Sequence, residues 1–331
     1  MSLCSRLSRA TRLASPILAA RPTAHARPYS MEPPLQSPRF TQLVVRAMRS
    51  LYPEELADRA WDNVGLLQEN MVPPSGAVPS RVLLTNDLTL RVAEEAIEKQ
   101  ASVIVSYHPF IFRGLKSVTL RDPHQRIVLR LAQHNIAVYS PHTAVDAVLG
   151  GVNDWLASIL DRLPGGAGEV TVVQPAPGAS APSVAPEFRG AGYGRLVRLR
   201  EPADLDSILR AYAAALGMRH VMVSRAAAPS SASPPPPVRS VAVCAGSGFD
   251  VLKDADADLI VTGEMTHHNA LRLKMLGKSV LTVFHSNSER GFLRDVLRPR
   301  LERALREEDA AAEVLLSEED ADPFEIWDAG E

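Results

Sequence analysis

Three strand-like runs of the chain are each followed, within two residues of their end, by a histidine. The runs are residues 101–106, 136–140 and 279–283, and the histidines are His108, His142 and His285. In an open α/β sheet, ligands bind in the crevice outside the carboxyl ends of the strands. Histidines at that edge, with carboxylates nearby, supply the chemistry of a metal site. The pattern therefore predicts that distant parts of the chain meet around one cation.

The clearest pair is His285 with Glu289, four residues further on. Residues four apart share a helix face, so if a helix begins near Ser288 both side chains reach the same point. Imidazole with carboxylate suits Zn, Fe, Mn or Ni better than Ca or Mg. The alternative is a helix cap, in which Ser286 or Ser288 caps the first turn and the helix dipole favours Glu289.

The same spacing follows the second run, where Asp146 comes four residues after His142. Asp146 is predicted to be a metal ligand. His142 is predicted to be a ligand, an acid–base group or an orienting group, and the alternative is a loop histidine with ordinary hydrogen bonds. Asp62 is either a carboxylate that orients a ligand histidine or a turn residue.

Further polar residues lie near other strand ends. His108 is predicted to be a ligand, whereas Tyr107 either hydrogen-bonds in the pocket or packs at the core edge. The turn Gly246-Ser247-Gly248 either contacts an anion through its N–H groups or is a plain tight turn. Glu264 and His268 are predicted to line the pocket without binding the metal directly.

Alternation of strand-like and helical segments predicts an α/β fold with βαβ units and parallel strands. Residues 164–189, rich in Pro, Gly, Ala and Ser, are predicted to be a linker. Residues 307–331 are predicted to be a solvated acidic tail.

The composition is that of an ordinary globular protein. The chain has 331 residues, of which 46% are hydrophobic and 22% charged, enough for two domains with their own cores. Two cysteines exclude a disulfide framework and a zinc site built on several thiolates, and Cys244 is predicted to be a small core residue. No stretch approaches the roughly 20 apolar residues of a membrane helix.

The first 30 residues resemble a targeting segment. They contain five arginines and several serines but no acid, which is typical of a mitochondrial transit peptide. The prediction is a mitochondrial protein, with an additional cytoplasmic location as the alternative. The alternative for the segment itself is a disordered basic tail. Removal of these arginines lowers the formal charge from −2 to about −7, which makes nucleic acid an unlikely partner.

In series, these segments resemble the NGG-interacting-factor-three-like family, also described as type-2 GTP cyclohydrolase I homologues, in its eukaryotic mitochondrial branch. The motifs that carry the resemblance span roughly residues 40–300. They are Trp61-Asp62-Asn63-Val64-Gly65-Leu66, Ser106-Tyr107-His108-Pro109, His142-Thr143-Ala144-Val145-Asp146, Gly150-Gly151-Val152-Asn153-Asp154, Gly246-Ser247-Gly248, Thr262-Gly263-Glu264-Met265-Thr266-His267-His268 and His285-Ser286-Asn287-Ser288-Glu289-Arg290.

The resemblance implies a two-lobed fold of the α/β/α sandwich type that assembles into homo-hexamers. It implies that the last strand and helix return to the first lobe, so that a second lobe, residues 190–282, is inserted between residues 38–163 and residues 283–306. It also implies a metal centre of one or two ions, most typically Zn, Fe or Mn. The family's ligands fall on His108, Asp146, His285 and Glu289, whereas Tyr107 stands where many members have a further histidine.

Two functions follow from this centre. The first is a metal-dependent hydrolase acting on a nucleotide or another phosphoester, with His142 or Glu264 as the proton-transfer group. The family name implies GTP ring opening, but the sequence shows no purine-reading motif. The second is a metal-binding scaffold without turnover that acts through protein partners, as the family name also implies.

Overall fold

The computed structural model describes residues 36–74, 76–226 and 236–327. The predicted transit peptide lies outside these residues. Within them no helix is long and apolar enough to cross a membrane.

The described residues form eleven strands and ten α-helices. The strands β1 to β11 are Gly65–Gln68, Arg81–Thr85, Val103–Ser106, Ala137–Ser140, Ala167–Pro175, Gly192–Ala203, Met222–Ser224, Val238–Cys244, Leu259–Thr262, Ser279–Thr282 and Glu313–Leu316. The helices α1 to α10 are Arg39–Leu51, Leu90–Glu98, Pro123–Gln133, Thr143–Ala147, Val152–Ser158, Leu205–Leu216, Phe249–Leu252, His267–Met275, Asn287–Phe292 and Arg298–Arg306.

The first lobe contains a five-stranded sheet in the order β1-β4-β3-β2-β11, parallel except for the edge strand β1. Successive residues of a strand point to opposite faces. In β2, Leu83 packs with the side of the sheet covered by α2 and α3, while Val82 and Leu84 pack into the main core with α1. The central strands are therefore buried on both faces, as their continuous apolar sequences require.

The second lobe contains a six-stranded mixed sheet in the order β5-β6-β8-β9-β10-β7. The prediction that residues 164–189 are a linker was wrong, because β5 lies in this segment and pairs with β6 along its length. The Gly- and Pro-rich flanks concealed the alternating segment that forms β5. Cys244 is buried in this lobe, as predicted.

The chain returns to the first lobe after β10. The strand β10 pairs with β9 and β7 in the second sheet, so the expectation that this strand returns was wrong. Helix α10 packs on α1, and β11 pairs in parallel with β2. The predicted acidic tail is thus partly structured, since the apolar residues of β11 occur between acidic stretches and Val314 is buried. The result is a two-lobed α/β fold.

Candidate metal centre

His108, His285 and Glu289 meet between the two sheets' strand ends. His108 follows β3, His285 follows β10, and Glu289 lies in the first turn of α9. The Nε2 atoms of the two histidines are 3.3 Å apart. The Oε2 atom of Glu289 is 3.4 Å from Nε2 of His108, and its Oε1 atom is 3.6 Å from Nε2 of His285. One ligand atom from each residue lies within 4.8 Å of the others, which is the geometry of a cluster that could hold a metal ion.

Carboxylates hold the far side of both imidazoles. Nδ1 of His108 lies 2.9 Å from Oδ1 of Asp87, and Nδ1 of His285 lies 3.0 Å from Oε1 of Glu264. A carboxylate can only accept, so each Nδ1 carries a proton, and Nε2 is the ring atom that each histidine directs toward the cluster. This carboxylate–histidine arrangement is typical of metal ligands.

The electrostatics of the cluster favour a positive charge. Burial lowers the pKa of His108, but Glu289 and Asp87 offset this effect and raise it to about 11. Burial likewise raises the pKa of Asp87, but His108 and Ser286 bring it down to about 2. Glu289 is buried, with a pKa held below its ordinary value by His108 against the effect of burial. Without a proton or a cation between them, the two Nε2 lone pairs and this carboxylate would repel one another.

Gly246 leaves room for that cation. A Cβ atom at this position would lie 2.9 Å from Oε1 of Glu289 and 3.0 Å from Nε2 of His285. Its φ of +58° is also one that side-chain-bearing residues rarely adopt. The donor set and the open space beside Gly246 therefore fit a divalent ion bound by nitrogen and oxygen ligands.

Asp146 lies in the same cavity but outside the cluster of three. Its carboxylate accepts the hydroxyl hydrogen bond of Tyr107, which is fully buried. Burial raises the pKa of Asp146 to about 6. The structure therefore brings three of the four predicted ligands together, and Tyr107 takes the hydrogen-bonding role rather than only packing at the core edge.

His142 is held by Asp62. Its Nδ1 lies 2.7 Å from Oδ1 of Asp62, and Oδ2 of the same carboxylate accepts hydrogen bonds from the backbone N–H and the hydroxyl of Thr143. The backbone of His142 has φ +34° and ψ −118°, a sparsely populated conformation of the kind that clusters at functional sites. Of the two alternatives for Asp62, the structure shows the orienting one, with His142 as the oriented residue.

Two further predictions concern residues around Gly246. The N–H groups of Gly246 and Gly248 donate to the hydroxyls of Ser288 and Thr262, so this segment is a tight turn rather than an anion site. The prediction for His268 was wrong, because it lies exposed at the start of α8 with its ring against His267. An N-terminal helix position turns it away from the strand edge.

Glu264 lines the cavity, as predicted. Its carboxylate contacts His285 and accepts a hydrogen bond from Ser247. These contacts give it an orienting role toward His285, and its predicted role in proton transfer stays a prediction.

Asn86 and Asp87 were missed by sequence reasoning. They directly follow β2, and Asn86 donates from Nδ2 to Oε2 of Glu289 at 3.0 Å. The pattern that predicted His108, a polar residue just after a buried parallel strand, also applies to this pair after β2.

The cluster opens into a cavity of about 1720 Å³. Its wall includes Asp146, His142 and Glu264 together with the aromatic residues Trp61 and Phe112. A cavity of this size admits a ligand as large as a nucleotide.

Comparison with known proteins agrees with this fold. The chain is 44% identical over 280 residues to a protein called NIF3 homolog from Schizosaccharomyces pombe, covering 84% of this chain and 95% of that protein. It is 39% identical over 291 residues to NGG1-interacting factor 3 of Saccharomyces cerevisiae, covering 86% and 96%.

A crystal structure of a hypothetical protein from Staphylococcus aureus superposes with a TM-score of 0.68 at 23% identity, covering 88% of this chain and all of that one. At this identity the likeness establishes the fold alone. The family model described as Duf34/NIF3 (NGG1p interacting factor 3) matches residues 41–323. With this match across both lobes and relatives of this identity, the chain belongs to the Duf34/NIF3 family.

Proposed function

We propose that the protein is a divalent-metal-dependent hydrolase that acts on a nucleotide or another phosphoester. The observation that carries the proposal is the pair of imidazole Nε2 atoms 3.3 Å apart beside the buried carboxylate of Glu289. Each imidazole is oriented by its own carboxylate, an arrangement that supports metal binding better than a structural hydrogen bond does.

The donor set favours Zn, Fe or Mn, as one ion or as two. His108, His285 and Glu289 would hold the first ion, and Asp146 is proposed as a further ligand within the same cavity. A bound divalent ion would lower the pKa of a water ligand and polarise a substrate oxygen.

The protein's own side chains supply the remaining parts of the proposed reaction. Asp62 holds Nδ1 of His142, which leaves Nε2 of this ring to accept or return a proton. Asp87 and Glu264 fix the ring orientations of His108 and His285. The cavity, which polar and apolar residues line together, would hold the substrate and limit the access of water.

A scaffold without turnover is the second candidate. The yeast relative's name describes an interacting factor, which supports protein partners for members of this family. In that case the metal would stabilise the junction between the two lobes, and no substrate would be consumed.

Elemental analysis of the purified protein tests the metal centre. We expect about one or two divalent ions per chain in the wild type, and loss of most of this metal in His285→Ala. His220→Ala is the matched control, because His220 is exposed and is not part of the cavity wall. Equal metal contents in the wild type and both variants would refute the proposed centre.

Turnover distinguishes the two candidate functions. The metal-loaded protein is assayed against nucleoside triphosphates, nucleoside monophosphates and p-nitrophenyl phosphate. Hydrolysis that His285→Ala abolishes and His220→Ala retains supports the enzyme. A metal-replete protein that consumes none of these substrates supports the scaffold.

Assembly and location are proposed from the family resemblance and from the leader sequence. We infer a homo-hexamer, which sedimentation equilibrium would reveal as a mass six times that of the 35.9 kDa chain, less any removed leader. We also infer a mitochondrial location. A fluorescent fusion of the whole chain should enter mitochondria, and one that begins at Met31 should not.

A further inference from the structure

Two half-exposed aromatic rings stand side by side on the wall of the metal cavity. Trp61 is 52% exposed and Phe112 is 46% exposed, and both line the cavity. Their ring centroids are 5.9 Å apart with an interplanar angle of 39°. Exposed apolar side chains are common singly, but a contiguous pair inside a cavity marks a binding surface.

The aromatic pair connects to the metal centre through a series of ring contacts. The rings of Trp61 and His142 meet edge to face at 5.7 Å, and those of His142 and His108 meet at 5.3 Å. Only the ring of His142 therefore separates a ligand on the aromatic pair from His108, a proposed metal ligand.

The Trp61-Asp62-Asn63 turn makes this wall rigid. Asp62 holds His142, and the side chain of Asn63 donates from Nδ2 to the carbonyl of Ile111 at 2.5 Å. The second hydrogen bond joins the turn to the segment that carries Phe112. The aromatic pair is thus held in place before any ligand arrives, which reduces the ordering cost of binding.

The cavity wall also carries cations that suit an anionic ligand. Arg91 and Lys253 line the cavity, each beside an acidic residue with which it forms an ion pair. The metal centre itself is rich in carboxylates, so a negatively charged group can approach it only where a cation offsets them.

We propose that Trp61 and Phe112 form a stacking subsite for the planar aromatic ring of a mononucleotide-sized phosphoester. The inference rests on the proposed function and deepens it, since it names the part of the substrate that the protein recognises. Every nucleobase presents a π face, so stacking of this kind selects for a base without selecting which base.

Isothermal titration with GMP, AMP and ribose 5-phosphate tests the subsite. The protein is used as purified, after its metal content has been measured, so that ring preference is scored whether or not metal is present. We expect both nucleotides to bind at least about ten-fold more tightly than ribose 5-phosphate, which has no aromatic ring.

Variants of Trp61 and Phe112 test whether the aromatic pair causes the preference for nucleotides over ribose 5-phosphate. Trp61→Ala should weaken nucleotide binding by about 10- to 100-fold and leave ribose 5-phosphate binding unchanged, whereas Trp61→Phe should keep most of the affinity. Phe112→Ala should show a smaller loss in the same direction. Trp327→Ala is the control, because Trp327 is exposed and lies away from the cavity wall.

Three results would overturn the subsite. They are equal binding of nucleotides and ribose 5-phosphate (or no binding of either), unchanged nucleotide binding in both aromatic variants, and a fall in oligomer mass in Trp61→Ala. The last would assign the aromatic pair to a subunit interface. If the wild type contains metal but shows no preference for ligands with a ring, the subsite is refuted and the metal centre stands. If the purified wild type contains no metal, the metal centre is refuted independently of the subsite.

Discussion

At the scale of single residues, the metal centre depends on backbone that approaches side chains closely. Gly246 lies against the side chains of Glu289 and His285. Gly263 lies so close to the backbone of His285 and Gly246 that a Cβ atom would not fit there. Phe284, directly before His285, has φ +61°, which is rare for a large side chain. His285 therefore follows a residue with strained backbone, and two glycines from other segments, Gly246 and Gly263, pack against it.

Gly246→Ala should weaken metal binding. The new Cβ would occupy the space between the ligand atoms, so we expect the metal affinity to fall by about ten-fold or more. Gly277→Ala is the matched control, because Gly277 has φ +76° but open space around its Cβ position. Both variants carry a strain of about 1–2 kcal/mol in unfolding free energy. Chelator competition measures the metal affinity, and equal losses in the two variants would contradict the prediction.

Asp87→Asn should weaken metal binding by about 10- to 100-fold, because the amide no longer fixes the tautomer and orientation of His108 as a carboxylate does. Asp254→Asn makes the same charge change at an exposed position on the same cavity wall. Metal affinities from indicator competition should differ between the two variants. A comparable loss in Asp254→Asn would show that only the total charge matters.

At the scale of elements, the segment after β11 contacts the residues next to those of the candidate metal centre. The backbone N–H of Asn86 donates to Oδ2 of Asp320 at 2.9 Å, and Arg290 lies 3.4 Å from the same oxygen. Asn287 and Arg290 also contact Asp322. The segment thereby links the end of β2 to helix α9, the two elements that carry Asn86 and Glu289.

Asp320→Ala should lower the free energy of unfolding by about 1–3 kcal/mol, since it leaves the N–H of Asn86 without its acceptor and removes one of the two carboxylates that pair with Arg290. Urea unfolding followed by circular dichroism measures this change. Glu325→Ala, at an exposed position of the same segment, should differ from the wild type by less than about 0.5 kcal/mol. A stability equal to that of the wild type in Asp320→Ala would show that the segment does not support the centre.

At the scale of the whole molecule, Arg195 fastens the second lobe to the first. Its guanidinium is buried and bonds both carboxylate oxygens of Asp154 at 2.7 Å. It also donates to the carbonyl of Val148 at 3.2 Å. Arg195 lies on β6 of the second sheet, whereas its partners lie at and before α5, so the contact crosses between the lobes.

Arg195→Ala should therefore destabilise the protein by about 3–5 kcal/mol, because Asp154 and several carbonyls lose a buried partner. Arg198→Ala is the control on the same strand. Its ion pair with Asp256 is exposed and should contribute no more than about 1 kcal/mol. Thermal or urea unfolding compares the two variants, and similar stabilities would contradict the assigned role of Arg195.

The sequence by itself determined most of the strands and helices and which side chains follow the strand ends. Apolar periodicity and turn residues are local properties, so His108, His285 and Glu289 could be placed just after strand ends before any contact was known. Local periodicity failed for β5 and β11, where Gly, Pro and acidic neighbours conceal short strands.

Only the tertiary structure decided which strands are neighbours. It placed β10 in the second sheet and β11 in the first, and it set Asp87 behind His108 while Asp146 came to lie beside Tyr107. Sheet order depends on long-range packing of the whole chain, in which a short strand has several partners of similar local preference. The residues of the candidate metal centre are therefore encoded locally, but their assembly into a cluster that could hold a cation is a property of the folded molecule.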